Sequence, residues 1–227
     1  MKSTLTKALA ISSVVGLGLL GTTNAQATSI TPAQNFFNPA GANTISDGTW
    51  SATGQGSTPN PLVGVNDWTV TLTAYSNNDA AVFTVSRAAT PFAPSPNSFT
   101  TLYSITNDKN PIYAAAVALD LVGFNSIKNG SIIKEVYADA EFTTLLGTAS
   151  AIISGGTETT VDAFFAPQDT IYIKDIIQTS GGDLSSYTNS YASVPEPLTM
   201  LGAAAAVAFG GAFKRNSAKK QDNNDQA

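Results

Sequence analysis

Residues 68–86 read WTVTLTAYSNNDAAVFTVS, and this stretch decides the fold class. Trp68, Val70 and Leu72 alternate with Thr69, Thr71 and Thr73. Alternation at a period of two buries one face of an extended strand and leaves the other to water. Ser76-Asn77-Asn78-Asp79 follows, rich in short polar side chains that bond to their own backbone in turns. Ala81-Val82-Phe83-Thr84-Val85-Ser86 answers with a second strand, so the stretch predicts an antiparallel hairpin.

The same pattern recurs on the C-terminal side. Residues 99–105 place Phe99, Tyr103 and Ile105 on one face, and Asn107-Asp108-Lys109-Asn110-Pro111 reads as a turn. Residues 113–122 and 132–142 carry both strand and helix signals; we read both as strands, with room for a short helix within residues 132–146. Further strands are expected at residues 148–153, 159–165 and 170–178, the last with Ile171, Ile173 and Asp175 on one face. About eight to ten short strands with regular turn signals predict a mostly β chain, a β-sandwich-like ectodomain spanning residues 68–179. Trp68, Phe83, Phe99, Tyr103, Phe164 and Phe165 are its expected aromatic core. Residues 28–67 are dense in Ser, Thr, Asn, Gly and Pro and read as coil or an edge strand, with one strand near residues 48–52. Residues 180–194, opening on Gly181-Gly182-Asp183, read as a flexible tether.

Charge and composition exclude several functions. Residues 28–193 hold thirteen acids against five bases, so no phosphate-neutralising footprint exists and nucleic acid is not an expected partner. The chain has no Cys and no His. Disulfides, Cys/His zinc sites and Ser-His-Asp triads are therefore ruled out. Only carboxylates remain for catalysis: Asp139 and Glu141, expected on one face of a strand, and Asp120 and Asp175 in apolar surroundings. The bland alternative is that these acids are solvated or pair with Lys134 and Lys174, and we read the domain as no enzyme. For cofactors and metal we assign none. Calcium is the one ion the loops Asn107-Asp108-Lys109-Asn110 and Asn77-Asn78-Asp79 could take, although neither matches a calcium-loop spacing.

Both ends differ from the middle. Residues 1–27 carry Lys2 and Lys7, an apolar run at 8–20 and the small-x-small site Ala25-Gln26-Ala27, the layout of an export signal helix cut by signal peptidase after Ala27. Gly16-Leu17-Gly18-Leu19-Leu20-Gly21 matches a dinucleotide-loop spacing but follows no strand, so it carries no cofactor reading. Residues 195–227 begin Pro195-Glu196-Pro197, which both prolines hold extended. An apolar transmembrane helix is expected over residues 198–213, only about 24 Å long against a hydrocarbon core of about 30 Å. Lys214-Arg215 form the basic stop that keeps residues 214–227 cytoplasmic.

The ordered series of Pro195-Glu196-Pro197, Gly/Ala-rich span and Lys214-Arg215 resembles a PEP-CTERM sorting signal, the tail of proteins handled by exosortases in Gram-negative bacteria. The resemblance covers the tail from Val194 onward. It implies export, transient anchoring in the inner membrane, recognition by an exosortase at the tripeptide, cleavage near it, and deposition at the cell surface or in the extracellular matrix. The expected function is therefore that of an exported surface or matrix protein with a non-catalytic structural or adhesive β domain, with exopolysaccharide or other matrix components as partners. The alternatives are a carbohydrate-binding module at the envelope and an exported glycoside hydrolase using Asp139 or Glu141.

Overall fold

The computed structural model describes residues 26–30, 33–38, 43–58, 68–75, 79–87, 98–122, 129–180 and 183–194. The expected export signal up to Ala25, the motif Pro195-Glu196-Pro197, the span at 198–213 and Lys214-Arg215 lie outside them. Among the described residues, no helix is long and apolar enough to cross a membrane.

Among the described residues, thirteen strands and one helical turn run in the order β1 (Gln26–Ile30), α1 (Ala33–Phe36), β2 (Thr44–Ser46), β3 (Trp50–Thr58), β4 (Trp68–Ala74), β5 (Ala80–Arg87), β6 (Ser98–Asn107), β7 (Ile112–Val122), β8 (Asn129–Tyr137), β9 (Leu145–Ser154), β10 (Thr157–Val161), β11 (Ala163–Gln168), β12 (Thr170–Ser180) and β13 (Asp183–Ser193). They form two antiparallel sheets. One has six strands in the order β1-β4-β5-β13-β7-β11; the other has seven, in the order β10-β9-β8-β12-β6-β3-β2. Side chains from both sheets join one core, so the architecture is a β-sandwich.

The opening hairpin is as read. β4 pairs with β5, Leu72 opposite Phe83, and Trp68, Val70, Leu72 and Ala74 are all buried. The strand reading of residues 113–122 also holds, as β7, and that of residues 132–142 holds only to Tyr137, as β8; residues 138–144 form a turn, neither the expected strand end nor a helix.

Four readings need correction. The segment expected as coil or an edge strand, with one strand near residues 48–52, does supply edge strands in β1 and β2 and that strand in β3, but it also folds α1, and its Phe36, Phe37 and Trp50 are fully buried. Its apolar residues are few but large, so three rings anchor it where no periodicity shows. The single strand expected over residues 159–165 is two, β10 and β11, which Asp162 separates into different sheets. Phe164, expected in the core, is 57% exposed. Finally, residues 183–193, taken for a tether, are β13, hydrogen-bonded between β5 and β7 in the middle of its sheet. β12 ends at Ser180, and β13, which starts at Asp183, belongs to the other sheet.

α1 shows how close packing dictates a residue. It inserts Phe36 and Phe37 between the sheets, with Phe36 5.5 Å from the Phe83 ring and Phe37 6.3 Å from the Tyr103 ring. The Phe36 carbonyl lies directly over Gly54 of β3, where a Cβ would overlap it. Only glycine fits there.

Candidate functional site

The most unusual chemistry lies between the sheets. On the seven-stranded sheet, antiparallel register sets Asp175 of β12 opposite Lys134 of β8 on one side and Thr101 of β6 on the other. All three point inward and are fully buried. The six-stranded sheet answers with Tyr187, Asn189 and Tyr191, alternate residues on the inward face of β13.

Lys134 Nζ donates to Asp175 Oδ1 at 2.7 Å, to Tyr103 Oη at 3.0 Å and to Tyr191 Oη at 3.3 Å. Three acceptors use all three ammonium hydrogens. Tyr103 Oη donates to Asp175 Oδ2 at 2.7 Å, so the 2.8 Å contact between the two phenols must be Tyr191 donating to Tyr103. Thr101 Oγ1 and Tyr187 Oη pair at 3.0 Å. The Phe83 ring stacks on Tyr103 at 4.5 Å, and the ammonium stands 5.4 Å from the centres of both the Tyr103 and Tyr191 rings. The result is one ion pair with every hydrogen placed, enclosed by aromatic surface.

Burial pulls the Lys134 ammonium below its ordinary pKa, and the Asp175 charge only partly restores it. Burial also drives the Tyr103, Tyr187 and Tyr191 phenols well above theirs, reinforced by the Asp175 charge, so all three stay protonated. Beside them Asn189 is fully buried, and neither its Nδ2 nor its Oδ1 has a partner among the described residues.

A second cluster lies on the outward face of the same sheet. Lys174 Nζ donates to Glu135 Oε2 at 2.8 Å, and Tyr137 Oη donates to the same oxygen at 2.9 Å. Burial opposes ionisation of Glu135, but these two donors outweigh it and hold its carboxyl below the ordinary value. Phe142 sets its ring edge-on against Tyr137 at 5.5 Å and Tyr172 at 6.4 Å. Its φ of 56° is a left-handed conformation that phenylalanine rarely takes. Asp139 holds the turn in place: its Oδ1 accepts from Thr143 N and Oγ1, each at 3.0 Å, and its Oδ2 from Thr144 N at 2.7 Å.

The expected catalytic carboxylates are therefore not brought together as a working pair. Asp139 and Glu141 lie in the turn after β8 rather than on a strand, and Asp139 is committed to that turn. Its pKa falls to about 2, chiefly through the Thr143 backbone donor. Asp175 is sealed in the core, and Asp120 is half-buried on β7. The pairing with Lys134 and Lys174 weighed as the bland alternative is present, though the second partner is Glu135. Asn107 of the calcium-loop candidate uses its Oδ1 to accept from Lys109 N and Asn110 N, an ordinary turn. Asn77 and Asn78 lie outside the described residues, and among those described no cluster of three or more metal-ligating acids forms. Ala25 is outside the described residues, whereas Ala27 is exposed in β1 opposite Thr73. A cut after Ala27 would remove two residues of β1 and leave Thr28, Ser29 and Ile30 paired with β4.

Sequence reasoning missed Tyr187, Asn189 and Tyr191. Their spacing was a signal, since alternate residues of Tyr187-Thr188-Asn189-Ser190-Tyr191 are large, but the stretch is short and follows two glycines.

No protein-family model matches the chain, and no curated protein matches it in sequence. Among solved structures, it is similar to an arabinose-bound α-L-arabinofuranosidase at 14% identity and TM-score 0.31, covering 74% of this chain and 24% of that one. It is also similar to a carbohydrate-binding module with specific mannan recognition, at 12% identity and TM-score 0.30, covering 75% and 99% of the two chains. A third is the xyloglucanase domain of a type three effector from Sinorhizobium fredii, at 5% identity and TM-score 0.27, covering 73% and 96%. The chain thus spans about a quarter of the first of these. Likenesses this weak carry no argument about what the chain binds.

Proposed function

We propose that this is an exported protein sorted by an exosortase through Pro195-Glu196-Pro197 and displayed at the cell surface or in the matrix, its β domain a non-catalytic structural or adhesive module. The observation that carries the reading is how the domain ends. β13 is a central strand, and its last residues are tied down: Ser193 N donates to Asp79 O at 2.9 Å and Val194 N to Pro111 O at 2.8 Å. The tripeptide begins at the next residue. A cut at or after the motif therefore removes none of the described strands, and release leaves both sheets whole. Intact-mass analysis of envelope fractions from an exosortase-containing host tests this. The expected mature species lacks residues 214–227; a mature species that keeps Lys214 and Arg215 refutes the processing.

A second reading, carbohydrate binding at the envelope, draws support from the outward cluster of Tyr137, Phe142 and Tyr172 beside Glu135 and Lys174. Aromatic surface next to charged hydrogen-bonding groups suits a sugar ring. A glycan array with no retained ligand would dismiss it.

A further inference from the structure

We propose that Lys134 and Asp175 are a site of self-catalysed cross-linking, where Nζ of Lys134 and Cγ of Asp175 join in an isopeptide bond that ties β8 to β12.

The fold brings the reacting groups together in a buried, hydrogen-bonded pair. The two residues are a direct cross-strand pair, so the backbone holds the side chains together without any long-range motion. An amine that hydrogen-bonds one carboxylate oxygen at 2.7 Å stands about 3–3.5 Å from the carboxyl carbon, the near-attack range. Reaction requires a neutral amine and a neutral acid. Both side chains are fully buried, and burial disfavours the ammonium.

The step balances without any co-reactant. A proton passes along the existing hydrogen bond from Nζ to Asp175 Oδ1, giving amine and carboxylic acid. The Nζ lone pair attacks Cγ, forming the C–N bond. Tyr103 Oη, donating to Oδ2 at 2.7 Å, steadies the negative charge that gathers on that oxygen. A second Nζ proton moves to Oδ1, the Cγ–Oδ1 bond breaks, and one water leaves. The product is an amide with one N–H facing the Tyr103 and Tyr191 oxygens, and a carbonyl oxygen, formerly Oδ2, that still accepts from Tyr103.

Condensing an amine with a carboxylate is unfavourable in water, and two features oppose that here. Fixed partners reach effective concentrations of roughly 10⁵–10⁸ M. The site is closed to bulk solvent, which limits the return of water for hydrolysis once the released molecule has left. A buried ion pair also gives way to a neutral amide, relieving the desolvation penalty of two charges. The chain has no cysteine, so no disulfide can close it covalently. This bond would close a loop of 41 residues.

Mass spectrometry of the purified full chain tests the bond directly and does not depend on the sorting reading. The expected mass is one water below that of the sequence, and proteolysis should give a branched peptide joining Lys134 to Asp175 with no tryptic cut after Lys134. Lys134→Arg should restore the full mass. Asp175→Asn, with ammonia as the leaving group, should lie one ammonia below its own sequence. A wild-type chain at full mass, with Lys134 and Asp175 in separate linear peptides, would reduce the site to a plain ion pair and overturn the proposal. The wild-type measurement suffices by itself, so a variant that fails to fold does not alter the outcome.

Discussion

Gly54→Ala should destabilise the domain by about 3–6 kcal/mol, through residues that show no period in the sequence. The added Cβ would overlap the carbonyl carbon and oxygen of Phe36. Both sides of that clash are backbone, so no rotamer change relieves it, and α1 must lift off β3. Phe36 and Phe37 are each fully buried and move with it. Exposing a buried Phe side chain costs about 1.5–3 kcal/mol, hence about 3–6 for the two. Their ring contacts with Phe83 and Tyr103 are lost as well. Against a typical total stability of about 5–15 kcal/mol this is a large share. Urea unfolding of the purified chain reads it as a lower midpoint, and a smaller slope would show that α1 is already released in the folded state. Gly155→Ala is the control: its φ of 57° is strained for alanine, but the new Cβ meets nothing. That variant should lose only about 1–2 kcal/mol. A Gly54→Ala loss below about 1 kcal/mol, within what local backbone effects alone produce, would refute the close approach of α1.

Three further outcomes follow from single residues. Asn189→Leu replaces a buried amide that has no partner among the described residues and should raise stability by about 1–3 kcal/mol; a lower urea midpoint would mean that the amide is satisfied. Asp139 titrates at about 2 in the fold against 3.8 when free, so between those values the unfolded chain binds more protons. Its contribution is present above about pH 4 and drains as pH falls through about 2, and Asp139→Asn should flatten the urea midpoint across that window; an unchanged slope would show that the turn does not depend on the carboxylate. If the outward aromatic cluster holds sugar, Tyr172→Ala should abolish glycan retention without shifting the melting temperature by more than a few degrees, whereas retention at the wild-type level would place any ligand elsewhere.

Legibility followed local repetition. β4, β5 and β6 read directly because one sheet face is buried along their whole length, and a strand's period of two then writes itself into Val70, Leu72, Phe83 and Val85. β10 and β11 looked like one strand because their residue types run on without a break; only the pairing partners, β9 for one and β7 for the other, separate them. The acids were legible as candidates and not as a site, since side-chain chemistry is local while neighbours come from distant strands.

What the sequence determined by itself is the mostly β class, the opening hairpin, the exclusion of histidine and cysteine chemistry, and the ordering of the tail that suggests a sorting signal. Each is a property of composition or near neighbours. Tertiary structure alone decided that residues 183–193 lie at the centre of a sheet, and that Lys134, Asp175, Tyr103 and Tyr191 share one enclosed space. The physical reason is that Lys134 and Asp175 are 41 residues apart and Tyr103 and Tyr191 are 88 apart. Cross-strand register and the stacking of two sheets bring them together, and neither leaves a mark on the local pattern.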